Sequence, residues 1–203
     1  LGGPWLEASL TQVIADVVVD SRKAIEGSMF VAFAGEKVDG HAFVDDAFKR
    51  GASAALVQRP VAVDCAILDL RGSVPAELVG DLVGRAPICL LVEDTLSALQ
   101  RMSACWRARF TPRIVGITGS VGKTTTKELV FSVLDSRYRT LKSAGNLNNE
   151  IGIPLTLMHL TDLHERVVLE MGMFARGEIA MLAAIAHPHV GVVTNIGPVH
   201  LER

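Results

Sequence analysis

Apolar positions in this chain cluster into short runs separated by amphipathic stretches. Val17–Val19 reads as a short strand, and Ser28–Ala34 alternates as a second, bracketed by Gly27 and Gly35. From His41 to Arg50, the residues Phe43, Val44, Ala47 and Phe48 recur at helical spacing, and Gly51 ends the helix. Ala54–Val57 and Ala66–Leu70 follow as strands. Between Asp69 and Pro87, scattered glycine and proline leave one short amphipathic piece near Ala76–Val83. Ile88–Val92 is a strand of the buried type. Asp94 or Thr95 caps a helix over Leu96–Arg109, whose apolar face is Leu96, Leu99, Met102 and Trp106. Phe110-Thr-Pro112 breaks that helix, and a domain boundary is expected there.

Beyond it the pattern alternates: strand Ile114–Thr118, helix Thr124–Leu134, strand Val167–Met171, helix Glu178–Ala186, strand Val190–Asn195. That order predicts a parallel sheet with helical crossovers. The fold class expected is α/β. A small mixed α/β N-terminal domain, residues 1–112, precedes part of a P-loop, mostly parallel-sheet ATPase domain, residues 113–203.

Hydrophobic residues make up 49% of the 203, enough for a sizeable core, so disorder is not expected. Twenty basic and 22 acidic residues give a net charge of −2, which argues against general nucleic-acid or membrane-surface binding. Cys65, Cys89 and Cys105 form no CxxC pair and predict reduced core thiols in a cytoplasmic protein. No apolar run is long enough to span a bilayer, and no signal peptide is visible. Both ends read as cut from something longer.

The chemistry concentrates at predicted strand ends, where ligands of open parallel sheets sit. Gly116-Ile-Thr-Gly119-Ser120-Val121-Gly122-Lys123-Thr124-Thr125 joins a strand to a helix. Converging backbone N–H groups, the helix dipole and the Lys123 cation suit phosphates, and Thr124 suits a phosphate-bound Mg²⁺. Ile117 stands where the general pattern has glycine. The second strand ends in Glu170-Met-Gly172; the third runs through Thr194-Asn195 towards His200. Thr124, Glu170 and His200 are expected to gather around one γ-phosphate. Three asparagines in four residues, Asn146-Leu-Asn148-Asn149, precede Glu150-Ile-Gly-Ile-Pro154 and predict a rigid polar loop. Such a loop either folds on its own Asx hydrogen bonds or offers amides to a polar substrate or to phosphate. Ser21, Arg22 and Lys37 near the first strands suit a diphosphate or carboxylate, although alone they read as ordinary surface charge.

Together these pieces resemble the Mur ligase family, ATP-dependent amide-forming enzymes of bacterial cell-wall precursor synthesis. The resemblance rests on Asp20-Ser-Arg22, Phe30-Val-Ala, Asp39-Gly-His41, Asp94-Thr-Leu, Thr118–Glu128, Gly145–Pro154, Leu169-Glu-Met-Gly172, Thr194-Asn-Ile196 and His200. It covers almost the whole chain, and the relaxed phosphate loop fits it. The Gly145–Pro154 string favours the family branch that adds D-alanyl-D-alanine to UDP-N-acetylmuramoyl-tripeptide over its siblings. The resemblance implies that the N-terminal domain holds the UDP end through Ser21, Arg22 and the Lys37 loop. It implies that Gly119–Thr125 wraps ATP, that Thr124, Glu170 and His200 hold Mg²⁺, and that Asn148 and Asn149 face substrate. Lys123, Glu170 and His200 would then carry catalysis through an acyl-phosphate intermediate, in a monomer. The family's carbamoylated lysine, most of its adenine pocket and its C-terminal domain have no counterpart in these residues, so a fragment inactive on its own is expected. The competing expectation is a nucleotide- or UDP-binding module that keeps the fold without the chemistry.

Overall fold

The computed structural model describes residues 13–35, 38–72 and 87–197. It divides into two compact units, Leu1–Ala98 and Leu99–Arg203.

In the first unit, β1 (Val17–Val18), β2 (Met29–Val31), β3 (Ala54–Val57), β4 (Ala66–Asp69) and β5 (Ile88–Leu91) form one sheet in the order β1-β2-β3-β5-β4. Every pairing in it is parallel. Its central strands β2 and β3 are buried throughout, which explains their unbroken apolar runs. The core gathers Phe30, Val44, Ala47, Val57 and Leu91. The expected helix over His41–Arg50 divides in two. A 3₁₀ turn, Gly40–Phe43, is capped by the Asp39 carboxylate and leads into α1 (Val44–Lys49). The expected strand Ser28–Ala34 shortens to β2. Most of the unreadable 69–87 stretch lies outside the described residues.

The helix α2 (Thr95–Arg107) starts on an Asp94 cap, with Ser97 N–H donating to Asp94 Oδ1 at 2.6 Å. The division between the units falls inside α2, after Ala98. Ala104 and Trp106, late in the helix, pack against the second unit's core.

In the second unit, β6 (Arg113–Thr118), β7 (Thr140–Lys142), β8 (Arg166–Glu170) and β9 (Val190–Val193) form a sheet in the order β7-β8-β6-β9, again all parallel. The crossovers are α3 (Lys123–Asp135), α4 (Gly152–Met158) and α5 (Glu178–Ala186). Ile114, Ile153, Leu157, Val167 and Leu169 are each 0% exposed and centre the core. Burying such a side chain contributes roughly 1.5–3 kcal/mol.

Two elements here differ from expectation. The short strand β7 has no counterpart in the sequence reading. The rigid loop expected to run through Pro154 stops at Ile151, where α4 begins. Pro154 sits in the first turn of α4, where its missing N–H breaks no helical bond.

Candidate functional site

The phosphate loop joins β6 to α3. Gly122 caps α3 with φ of 86° and supplies no side-chain hydrogen bond, so the first-turn N–H groups of α3 lack a capping side chain. Thr124 and Thr125 are exposed in that turn. Lys123 Nζ folds back over the loop, donating to Gly119 O at 2.7 Å and Ser120 O at 3.3 Å. Its charge is thereby held above the helix N-terminus.

The loop is fastened to the segment after β9. Ser120 N–H donates to Asn195 O at 3.0 Å. The Asn195 side chain binds Val121 twice, accepting its N–H at 3.0 Å and donating to its carbonyl at 3.2 Å. Thr194 Oγ1 also donates to Val121 O, at 2.7 Å. Gly197 N–H and O both meet Ser120 Oγ. The sequence reading placed Thr194 and Asn195 on a strand running to Asn195. They leave it after Val193, and their polar groups shape the loop instead. Their amide and hydroxyl chemistry directly after an apolar strand was the signal.

Glu170 ends β8 and pairs in register with Ile117 on β6, just before the loop. It is only 3% exposed. Its N–H donates to Ser143 Oγ at 3.0 Å, and its Oε1 accepts from Asn148 Nδ2 at 2.9 Å. Its Oε2 is buried and accepts no hydrogen bond. A buried carboxylate oxygen without a donor suits a cation. Glu170 therefore fits the role of a Mg²⁺ ligand. Among the described residues, no three His, Cys, Asp or Glu side chains cluster as a metal site. His200, the other expected ligand, lies outside the described residues.

The asparagine loop is divided in its tasks. Asn148 reaches Glu170, and its carbonyl accepts Gly172 N–H at 2.7 Å. Asn149 Oδ1 instead accepts Gly152 N–H at 2.9 Å and Ile151 N–H at 3.3 Å, fastening the entry to α4. Asn149 thus makes the expected Asx turns, while the Asn148 amide is taken up by Glu170 within the protein. Lys127, which the sequence reading left out of the site, is 1% exposed on α3.

In the first unit, a separate cleft of ≈ 740 Å³ is lined by Val19, Ser21, Arg22, Phe30, Phe33 and Phe43, among others. Aromatic walls with a few polar groups are what a small-molecule site offers. Ser21 Oγ donates to Asp46 Oδ2 at 2.8 Å. The Arg22 guanidinium grips Asp20 with two bonds, of 2.9 and 2.8 Å, and holds its carboxyl at about 2. Lys37 lies outside the described residues. Asp39 and His41 flank Gly40, which lines the cleft. His41 is 5% exposed; its Nε2 accepts Gln58 N–H at 2.9 Å, so its Nδ1 carries the proton shared with Asp39 at 2.6 Å.

Two family models match this chain. The one described as "Mur ligase family, catalytic domain" matches residues 13–103, and "Mur ligase middle domain" matches residues 117–203. The UDP-N-acetylmuramoyl-tripeptide–D-alanyl-D-alanine ligase of Synechocystis sp. is 43% identical over 93% of this chain and 37% of its own length. The Bacillus subtilis ligase of the same name is 40% identical over 94% of this chain and 37% of its own. The crystal structure of the Thermotoga maritima MurF ligase in complex with ADP superposes with a TM-score of 0.75 at 34% identity, covering 94% of this chain and 40% of that one. This chain thus spans well under half the length of the relatives it matches. The two models together account for most of its residues, and the chain belongs to the Mur ligase family, of which it carries the N-terminal and middle domains.

Proposed function

We propose that these residues form the ATP end and the UDP end of a MurF-type ligase. In this reading the whole protein joins D-alanyl-D-alanine to UDP-N-acetylmuramoyl-tripeptide in the cytoplasm, as a monomer. Residues 1–112 hold the UDP portion in the Phe30–Phe33–Phe43 cleft, and residues 113–203 hold ATP. The observation that carries the reading is the meeting at Glu170. The strand carrying it lies beside the strand that feeds the phosphate loop, and its carboxylate binds the asparagine loop while one buried oxygen accepts no hydrogen bond.

The chemistry follows from charge. A peptide carboxylate oxygen attacks the γ-phosphorus, ADP leaves, and an acyl phosphate forms. The amine of D-alanyl-D-alanine then attacks the acyl carbon, phosphate leaves, and the nitrogen loses its proton. Both the attacking carboxylate and the phosphates are anionic, so cations must offset their repulsion. Lys123 supplies one, positioned over the loop whose α3 N–H groups receive phosphate oxygens. Mg²⁺, when bound, further neutralises the phosphate charge; Thr124, Glu170 and His200 would hold it. Asn148 orients the Glu170 carboxylate. Ser21 and Arg22, tied to Asp46 and Asp20, shape the polar rim of the UDP cleft.

The reading is tested by phosphate release from the intact protein. Release is expected only when ATP, UDP-N-acetylmuramoyl-tripeptide and D-alanyl-D-alanine are all present. Nucleotide binding with no release under any combination of the three would favour a binding module.

A further inference from the structure

A buried lysine is costly unless its charge is met, and Lys127 is buried at 1% exposure in the middle of the site's framework. Three groups from three places meet its ammonium. Gly145 O, at the head of the asparagine loop, accepts a hydrogen bond at 3.2 Å. Glu128 Oε1, the next residue on α3, lies at 3.3 Å. Glu170 Oε2, the carboxylate oxygen that accepts no hydrogen bond, lies at 3.7 Å. Glu128 in turn binds Lys142 on β7, and those two cations hold its carboxyl below the usual range, Lys142 most strongly. Charges therefore alternate from Lys142 through Glu128 and Lys127 to Glu170, where Asn148 takes the last oxygen.

We propose that Lys127 is a positioning residue: one ammonium fixes the Glu170 carboxylate and the Gly145 carbonyl together, and so holds the asparagine loop in register with the phosphate-loop helix. The distances assign the two contacts different parts. The Gly145 bond is a true hydrogen bond and sets where the loop starts. The 3.7 Å approach to Glu170 is too long for one, so it steers the carboxylate while leaving Oε2 open to another cation. Glu170 is thus held from both sides, by Asn148 on Oε1 and by Lys127 near Oε2. The inference that this matters for Mg²⁺ rests on the proposed ligase reading; the charge pairing itself does not.

The test uses the intact protein carrying Lys127→Met, Glu170→Gln and both. Urea unfolding without metal or nucleotide gives the coupling between the two sites. Removing either partner alone leaves a buried charge, so the double variant is expected to be more stable than the sum of the single losses. Additive losses would overturn the pairing. If Lys127→Met does not fold, Lys127→Gln takes its place, since it removes the charge while keeping an N–H donor on a side chain one bond shorter. In turnover, that variant is expected to raise the Mg²⁺ concentration for half-maximal rate by about tenfold, the usual effect of losing a partner that orients a ligand. The KM for the UDP substrate is expected to hold, and Lys127→Arg to restore part of the Mg²⁺ response. An unchanged Mg²⁺ response, or an equal rise in both constants, would overturn the positioning role. A parent protein without phosphate release would defeat the ligase reading while leaving the unfolding cycle to judge the pair.

Discussion

Replacing Gly119 with alanine tests the phosphate loop at its tightest point. Gly119 has φ of +133°, a region reserved in practice for glycine, and forcing alanine there costs about 1–3 kcal/mol. A Cβ at this position would also run into Thr194 Oγ1 and sit 3.0 Å from both N and O of Asn195. Those atoms cannot yield cheaply, because Asn195 O holds Ser120 N–H and Thr194 Oγ1 holds Val121 O. Overpacking of this kind costs about another 1–3 kcal/mol. The sum, about 2–6 kcal/mol, falls on the loop that would cradle phosphate. Gly122 is the control. Its φ of +86° is also strained for alanine, but its Cβ would enter open space. The backbone term alone, about 1–2 kcal/mol, then applies. Calorimetric titration of the intact protein with MgADP, paired with urea unfolding, reads both effects. Gly122→Ala should weaken binding about tenfold, since 1.4 kcal/mol is a factor of ten, and Gly119→Ala should lose far more in affinity or stability. Parent-like binding and unfolding by Gly119→Ala, or a worse outcome for Gly122→Ala, would refute the packing argument.

Further outcomes follow from other parts of the structure. Lys123→Ala should abolish ATP-dependent phosphate release while leaving the unfolding midpoint nearly unchanged, since among the described residues its hydrogen bonds stay within its own loop; retained turnover would remove it from the site. Leu157→Ala, at a wholly buried position of α4, should lower unfolding stability by about 2–5 kcal/mol in urea titration. Arg107→Met removes the donors to Ala186 O at 2.9 Å and Phe110 O at 3.1 Å from a largely buried site, and should cost about 2–3 kcal/mol by the same measure. Asp39 is held below the usual carboxylate range by Arg59 first and then by the backbone and ring of His41. Its stabilising effect is therefore present above the unfolded carboxylate pKa, near 4, and is lost as pH falls through the lower folded value. Asp39→Asn should flatten the acid limb of the stability–pH curve below about pH 4, read by circular dichroism.

Strand β8 was legible because a central parallel strand is apolar on both faces. Val167, Val168 and Leu169 are all 0% exposed, and the sequence shows them as an unbroken run. The helix α4 was hidden because Gly152 and Pro154 read as turn residues, whereas at a helix start neither breaks a bond. The three-residue β7 carries too little pattern to separate it from its neighbours. At the site, Glu170 was legible from its place at a strand tip. That Asn148 reaches it while Asn149 fastens the entry to α4 depends on loop geometry that spacing does not encode. Lys127 was missed because a lysine between a threonine run and a glutamate reads as solvated surface; only the fold shows three acceptors brought around it. The ties of Ser21 to Asp46 and of Arg22 to Asp20 depend on the fold and are not encoded by residue type alone.

The central claim is that the phosphate loop and Glu170 form the ATP end of a carboxylate-activating site. Borohydride trapping tests it most directly, because hydride reduces an acyl phosphate to a primary alcohol and spares a free carboxylate. Intact protein is given MgATP and UDP-N-acetylmuramoyl-tripeptide without D-alanyl-D-alanine, then quenched with borohydride and read by mass spectrometry. The account predicts the tripeptide alcohol with the parent protein and none with Lys123→Ala. Amide formation from all three substrates without any trapped alcohol, or equal trapping by both proteins, would contradict it.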